Sequence, residues 1–352
     1  MFENSSEENF VSIKKFESML KTNQVYFFDA EEFVDIIHYY FDLGKDNLAK
    51  QALKLANDQH PNSIEIKLLK AEFLINEDKI ESATAILNEL YLIEPTNEQL
   101  YLLKALIFSR NFESKRAIEM YKEALKYTDD EAEVIFLIAM EHFYLEEYEK
   151  AIGHFKYCLS VDNEDNQSLN NLIFCFEALK KSEDARNYLM EFIENNPYSY
   201  VAWFLLGKQH YALKNYKAAL KAFDYALLIE ETFVGALIEK GKSYEKLNKY
   251  EEAIGCYNET LRLEDASAYV FHKIAKCYEK LNNDNEAIDF YKKAIYEDPQ
   301  SEKSWLALIR IYIKKNLLQN ALAEIERAIE INEQSNKFKK NRDIILKQLG
   351  NK

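Results

Sequence analysis

An all-α solenoid of helix–turn–helix units is the fold class this sequence predicts, on three observations. The four prolines, Pro61, Pro95, Pro197 and Pro299, stand on one lattice of period 34. An alanine recurs on that lattice without a miss: Ala49, Ala83, Ala117, Ala151, Ala185, Ala219, Ala253, Ala287 and Ala321. Cut at this period, residues 30–335 fall into nine units with no insertion or deletion. A fixed period of this length marks units too small to bury their apolar faces alone, so each stacks on its neighbours.

The elements follow in order. Residues 1–29 form an N-terminal tail and cap: 1–9 are acidic and polar and expected to fray, and 9–21 read as a short helix. Phe10, Ile13, Phe16, Glu17 and Leu20 share one face of that helix. Asp29 with Glu32 three residues on is a capping box opening the first repeat. The repeats are then 30–63, 64–97, 98–131, 132–165, 166–199, 200–233, 234–267, 268–301 and 302–335.

The sixth repeat is the clearest. Trp203, Leu206, Gly207, Tyr211, Tyr216, Ala219, Phe223 and Ala226 recur at spacings that bring one face of two successive helices together. The small residue at repeat position 8 is expected to face the alanine at position 20, letting the two helices approach closely. Proline at position 32 cannot continue a helix and so separates hairpins. Where it is missing, Asp129, Asn163, Glu231, Asp265 and Glu333 are candidates to begin the turn. Beyond the array, residues 336–352 read as a basic, solvating helix with Phe338, Ile345 and Leu349 on one side, and Ile344 has no obvious place.

These residues resemble the tetratricopeptide repeat family: Trp203-Leu206-Gly207-Tyr211, then Ala219-Phe223-Ala226, then a proline at position 32. The resemblance covers 306 of 352 residues and implies a right-handed α-solenoid that binds other chains along a concave face. The fifth repeat departs from the pattern. Ile173 and Phe192 fill two small positions and Ser182 and Leu189 replace aromatics, so an overpacked hairpin and a local change of curvature are expected there. Ile37 and Ile309 also occupy position 8.

Composition bounds the function. A net charge of −15 argues against nucleic acid and anionic membrane surfaces as partners. The opening Met1-Phe2-Glu3-Asn4-Ser5-Ser6-Glu7-Glu8 lacks the basic and apolar regions of a signal peptide, and no apolar run approaches the roughly 18 residues of a spanning helix. A cytoplasmic setting is the default expectation. Seven glycines and four prolines leave no room for a flexible linker. Cys158, Cys175, Cys256 and Cys277 show no CxxC spacing and read as small core residues.

The sequence offers no catalytic motif: no GxGxxG, no P-loop, no HExxH. His142 and His154 lie on the two helices of the fourth repeat and can approach each other, with no third metal-ligating side chain nearby in the lattice. Glu pairs such as Glu146-Glu147 and Glu251-Glu252 form a solvated face. No enzyme activity, cofactor or metal is therefore expected.

The resemblance implies that first-helix positions 2, 5, 9, 12 and 13 line the concave face. Position 9 ends in an unbroken basic ladder, Lys208, Lys242, Lys276 and Arg310. Position 13 adds Lys246, Lys280 and Lys314, position 2 adds Lys303, and position 5 adds His272. The middle is apolar, with Leu102, Leu106, Phe136, Met140, Phe143, Tyr144, Phe174, Phe204 and Tyr211, and the first repeats supply Glu31, Asp42, Glu65 and Glu72. Glu245 and Glu279, each three residues after a rung, are expected to neutralise Lys242 and Lys276 along the helix.

Some family members hold a peptide's terminal carboxylate with Lys and Asn at positions 5 and 9 and an Asn at position 6 of the next repeat. Here Asn171 alone matches, with Phe136 and Met140 before it, so the clamp is absent. The reading is a non-enzymatic protein-interaction scaffold for an acidic peptide or helix with apolar anchors. The alternatives are a self-associating assembly protein or a regulatory subunit of an enzyme complex.

Overall fold

A chain with few helix breakers and a 34-residue apolar rhythm has one economical solution: paired helices that repeat on that rhythm. The computed structural model describes residues 2–22, 25–263 and 267–350, the side chains of 2–10 excepted, and twenty helices account for nearly all of it. The N-terminal helix α1 spans Phe2–Thr22. The nine repeats follow as hairpins: α2 Ala30–Asp42 with α3 Asp46–Gln59, α4 Ile64–Asn76 with α5 Ile80–Ile93, α6 Glu98–Arg110 with α7 Ser114–Ala124, α8 Glu131–Tyr144 with α9 Tyr148–Val161, and α10 Asn166–Ala178 with α11 Ser182–Asn195. Next come α12 Tyr200–Ala212 with α13 Tyr216–Ile229, α14 Val234–Lys246 with α15 Tyr250–Leu263, α16 Ala268–Lys280 with α17 Asp284–Glu297, and α18 Glu302–Lys314 with α19 Leu318–Ile331. The C-terminal α20 spans Asn336–Gly350. Every second helix opens at position 17, and every first helix at position 1 except α8, which starts one residue early. The chain divides into two compact units, Met1–Cys175 and Phe176–Lys352.

Each hairpin turns through a left-handed residue at position 15. Gly44, Asp78, Phe112, Glu146, Lys180, Lys214, Asn248, Asn282 and Asn316 all have φ between 57° and 66°. Around each, two backbone hydrogen bonds close the end of the first helix: Phe112 N–H to Ser109 C=O at 2.9 Å and Glu113 N–H to Phe108 C=O at 2.8 Å are typical. This is the Schellman motif, which satisfies carbonyls the helix would otherwise leave orphaned.

The turns between repeats are fixed by side chains. Ser63, Asn97, Asp165, Ser199 and Ser335, all at position 34, accept a backbone N–H of the first turn that follows. Proline at position 32 has a second partner beyond its role as a helix stop. Its carbonyl accepts from the aromatic side chain at position 4 of the next repeat: Tyr101 to Pro95 at 2.7 Å, Trp203 to Pro197 at 2.9 Å and Trp305 to Pro299 at 2.9 Å. Where proline is absent, neighbours of the expected residues do the capping: Asp130 beside Asp129, Asp162 and Asp165 around Asn163, and Glu230 beside Glu231. Asp265 lies outside the described residues.

The core runs along the hairpins. All nine lattice alanines are fully buried. At the two glycines of position 8, Gly207 and Gly241, the nearest neighbour is the ring at position 24 rather than the alanine at position 20. A Cβ on Gly207 would collide with the Phe223 ring, and one on Gly241 would stand 2.7 Å from Tyr257. Position 24 is accordingly smaller where position 8 is large: Ile37 goes with Leu53, Ile173 with Leu189 and Ile309 with Ile325, every one buried. In the fifth repeat Ile173 likewise stands opposite a leucine, not a ring, in the lattice.

The ends differ in part from expectation. Helix α1 begins at Phe2, not near residue 9, because no glycine or proline stands between them to stop propagation from the packed segment. Ser12, Ile13, Phe16 and Met19 are its buried face, and Leu20 is exposed. The side chain of Phe10 lies outside the described residues. Asp29 and Glu32 form the expected capping box, with Asp29 N–H donating to Glu32 Oε2 at 2.8 Å. In α20, Phe338 and Ile345 are buried and Leu349 packs against the same cluster, whereas Ile344 is 43% exposed. No helix is long and apolar enough to cross a membrane among the described residues.

Candidate ligand-binding faces

In the first unit the apolar candidates divide between packing and display. Leu102 and Leu106 are half-buried against the core of repeats two to four. Phe136 lies 5.9 Å from Phe155 across its own hairpin, and Asn171 donates to the Met140 sulfur at 3.3 Å. Phe143 is wedged between Tyr148 at 5.8 Å and Phe174 at 5.1 Å. The outward display is carried by Tyr144, 64% exposed, and Phe174, 48% exposed. Aromatic rings held by other rings are rigid, wettable anchor points, the kind of surface that binds an apolar side chain at low entropic cost.

In the second unit, Phe204 serves packing: its ring lies 4.9 Å from Phe233 and 6.0 Å from Phe223. Tyr211 rests 5.3 Å from Tyr216. Lys208 is exposed, with its ammonium 5.7 Å from the Phe204 ring.

The basic ladder is partly neutralised, by partners other than those the helix spacing suggested. Lys242 pairs with Glu239, three residues before it, at 2.7 Å. Burial opposes its charged form, but this pair outweighs it and raises the pKa. Glu245 instead accepts from Tyr257 Oη at 2.5 Å and from Lys273 at 2.9 Å, and stands 3.8 Å from Lys276. Glu279 is engaged by Tyr291 Oη at 3.0 Å. Burial, reinforced by these carboxylates, holds both phenols above their ordinary range. Lys314 is tied to Asp284 at 3.0 Å. Lys208, Lys246, Lys280, Lys303 and Arg310 make no ion pair among the described residues, and all five are exposed.

The structure brings a subset of these groups together. Lys276, Lys280, Lys303, Arg310 and His272 line one depression of about 380 Å³ between α16, α17 and α18, with Glu279 and Tyr291 in its wall. A neighbouring depression of about 410 Å³ shares His272, Lys276 and Lys303 and adds Tyr269 and Lys273. Lys273 and Ser304 were not expected as site residues, since positions 6 and 3 fall outside the five positions that the resemblance assigns to the concave face. Ser304 hydrogen-bonds His272 Nδ1 at 3.0 Å.

The other chemical candidates are packing groups. His142 and His154 do meet, stacked with ring centroids 5.5 Å apart. His142 Nδ1 lies 2.7 Å from Glu147, and burial followed by the charge of His142 depresses the pKa of His154. No group of three His, Cys, Asp or Glu side chains suited to a metal occurs among the described residues. The four cysteines are free, and burial pushes their thiols upward, Cys175 and Cys256 to about 11 and Cys277 to about 12, which disfavours the thiolate.

Hairpins of this geometry, stacked in register, define an α-solenoid repeat protein. The hairpins are of the tetratricopeptide repeat type, and the family model of that repeat matches residues 41–107. Further models match over other segments: anaphase-promoting complex, cyclosome, subunit 3, over 165–260, and a domain of unknown function over 238–348. Among curated proteins no sequence matches. Among solved structures, the C-terminal part of a repeat protein of this family from Cytophaga hutchinsonii is 16% identical, covering 67% of this chain and 96% of its own, with a TM-score of 0.52. MamA from Desulfovibrio magneticus is 19% identical over 49% of this chain and 97% of its own, TM-score 0.44. The Cut9–Hcn1 hetero-tetramer structure of the anaphase-promoting complex is 14% identical over 97% of this chain and 69% of that one, TM-score 0.46. Proteins of this family commonly mediate protein–protein interaction.

Proposed function

We propose that this chain is a non-enzymatic interaction scaffold whose second unit takes an acidic peptide or helix along the first-helix face of repeats six to nine. The observation that carries the reading is local: five exposed cations with no ion pair among the described residues share this face of a protein whose net charge is −15. An acidic protein that keeps an unneutralised basic field uses it to steer a ligand of opposite charge. The Phe143–Phe174–Tyr144 surface of the first unit offers separate anchoring for apolar side chains. Chains of this family are generally non-catalytic, in keeping with the packing roles of the histidines and thiols.

The test is charge reversal away from the deepest part of the face. A labelled acidic peptide containing one phenylalanine is titrated against the wild type and against Lys208→Glu/Lys246→Glu. Association should slow and affinity fall at least about tenfold at low salt, and the difference should shrink as salt is raised, because exposed charges are screened beyond roughly 8–10 Å. Unchanged affinity at low salt, with the helical content intact, would reject the basic face as the binding surface. Self-association is separated by light scattering over a concentration series: a mass that grows with concentration and falls in the same variant would favour a second copy of the chain as occupant.

A further inference from the structure

We propose that the depression formed by His272, Lys276, Lys280, Lys303 and Arg310 is a dianion site that receives the phosphate of a phosphorylated residue in the bound acidic segment. This rests on the acidic-segment reading and specifies its chemistry at repeats eight and nine.

The charge balance points to more than a carboxylate. Four cations line a space of about 380 Å³ in which Glu279 is the one acid. Lys280, Lys303 and Arg310 have no ion pair among the described residues, and the fourth, Lys276, is 3.8 Å from a Glu245 already engaged by Lys273 and Tyr257. Holding this many ammonium and guanidinium groups around one small depression costs mutual repulsion unless an anion is present to offset it. A carboxylate brings one charge and two oxygens. A phosphate monoester brings nearly two charges and three acceptor oxygens, which suits a guanidinium fork and several lysines at once. The space accommodates a phosphoryl group on a side chain and opens on the same helix positions, 2, 5, 9 and 13, that form the basic face.

His272 gives the site a reporter. Its Nδ1 is held by Ser304 Oγ, and its ring lies 5.3 Å from Tyr291. Lys273 and Lys276 face it from its own helix, Lys303 from α18 and Glu245 from α14. Burial, then Lys276, Lys273 and Lys303, depresses its pKa, and Glu245 opposes this. These groups favour the neutral imidazole, and a bound dianion would raise its pKa. Binding should take up a proton and tighten as pH falls.

The experiment has two arms. In the first, the ring signals of the six histidines are followed by NMR during titration with sodium sulfate, which stays dianionic throughout, and with acetate. Sulfate should shift His272 saturably, more tightly near pH ~5.5 than ~8, with acetate far weaker. Lys303→Ala/Arg310→Ala should abolish the response, and Lys208→Glu/Lys246→Glu should leave it. In the second, acidic peptides identical except for Ser, Glu or phosphoserine at the centre are compared. The phosphopeptide should bind about tenfold more tightly, roughly 1.4 kcal/mol, and the advantage should vanish in Lys303→Ala/Arg310→Ala. Equal affinities for the three peptides overturn the proposal, and if Lys208→Glu/Lys246→Glu still weakens them all, the acidic-segment reading survives. A sulfate response without any peptide binding overturns the phosphopeptide assignment, along with the acidic-segment reading. No sulfate response at His272 overturns the dianion site itself.

Discussion

At the scale of single residues, the left-handed position of every hairpin is where local sequence and required backbone disagree most. Gly44, Asn248, Asn282 and Asn316 are residues that tolerate positive φ, and a reader of the sequence could have found the turn from them. Phe112, Lys180 and Lys214 hide it, because a bulky side chain at φ near 60° gives no turn signal and is imposed by the packed helices on either side. Phe112 is also 94% exposed, so its ring contributes little to stability. A left-handed non-glycine residue costs about 1–2 kcal/mol, and glycine returns roughly half of that as unfolded-chain entropy. Phe112→Gly should therefore stabilise the protein by about 0.5–1 kcal/mol, read as a higher urea midpoint with unchanged slope. A lower midpoint would mean that the ring makes contacts worth more than the strain.

At the scale of the hairpin, the lattice made the helices and their register legible, and the partner of position 8 illegible. Period and small-residue pattern show which faces meet, but which two side chains touch depends on where along each helix the faces cross. At the extremes the residues at positions 8 and 24 compensate, and this covariation within one chain was the signal available: Gly207 with Phe223, Gly241 with Tyr257, and isoleucine at 8 with leucine or isoleucine at 24. It leads to opposite outcomes for one substitution. Alanine is favoured over glycine inside a helix by about 1 kcal/mol, and at Gly255 a Cβ meets nothing within 4 Å, so Gly255→Ala should stabilise. At Gly207 the methyl would run into Phe223, and overpacking of about 1–3 kcal/mol reverses the sign. Phe223→Leu makes room, so the double variant should cost less than the sum of the two singles. Additivity in that thermal or urea cycle would show that the two side chains act independently. The capping serines and asparagine at position 34, and the aromatic donors to the proline carbonyls, were likewise present in the sequence as recurrences, each resolved only when its bond was seen.

At the scale of the whole chain, charge on the candidate face is sorted by position: Glu31, Asp42, Glu65 and Glu72 fall in the first repeats, and the lysines of the ladder and Arg310 in the last four. The basic ladder itself was legible because a lattice aligns equivalent positions. Its neutralisation was not, because Glu245 reaches back to Tyr257 and forward to Lys273 on other helices, contacts that no spacing along one helix encodes. The same nearest-neighbour logic governs stability. Within each unit helices pack chiefly on those next to them in the chain, so a local defect is felt by adjoining repeats and fades with distance. Ala219 is fully buried at the junction of its hairpin, and Ala219→Leu should cost about 1–3 kcal/mol through overpacking. Native-state hydrogen exchange should then quicken in α12, α13 and α14, while amides of α4 to α7 in the first unit keep their wild-type protection. Under a single all-or-none transition, every slowly exchanging amide would instead lose the same amount of protection, because all would open only by unfolding together. That outcome would contradict nearest-neighbour stability and require that the binding faces of the two units be coupled through global unfolding; the local outcome would let a ligand on repeats six to nine stabilise that segment alone.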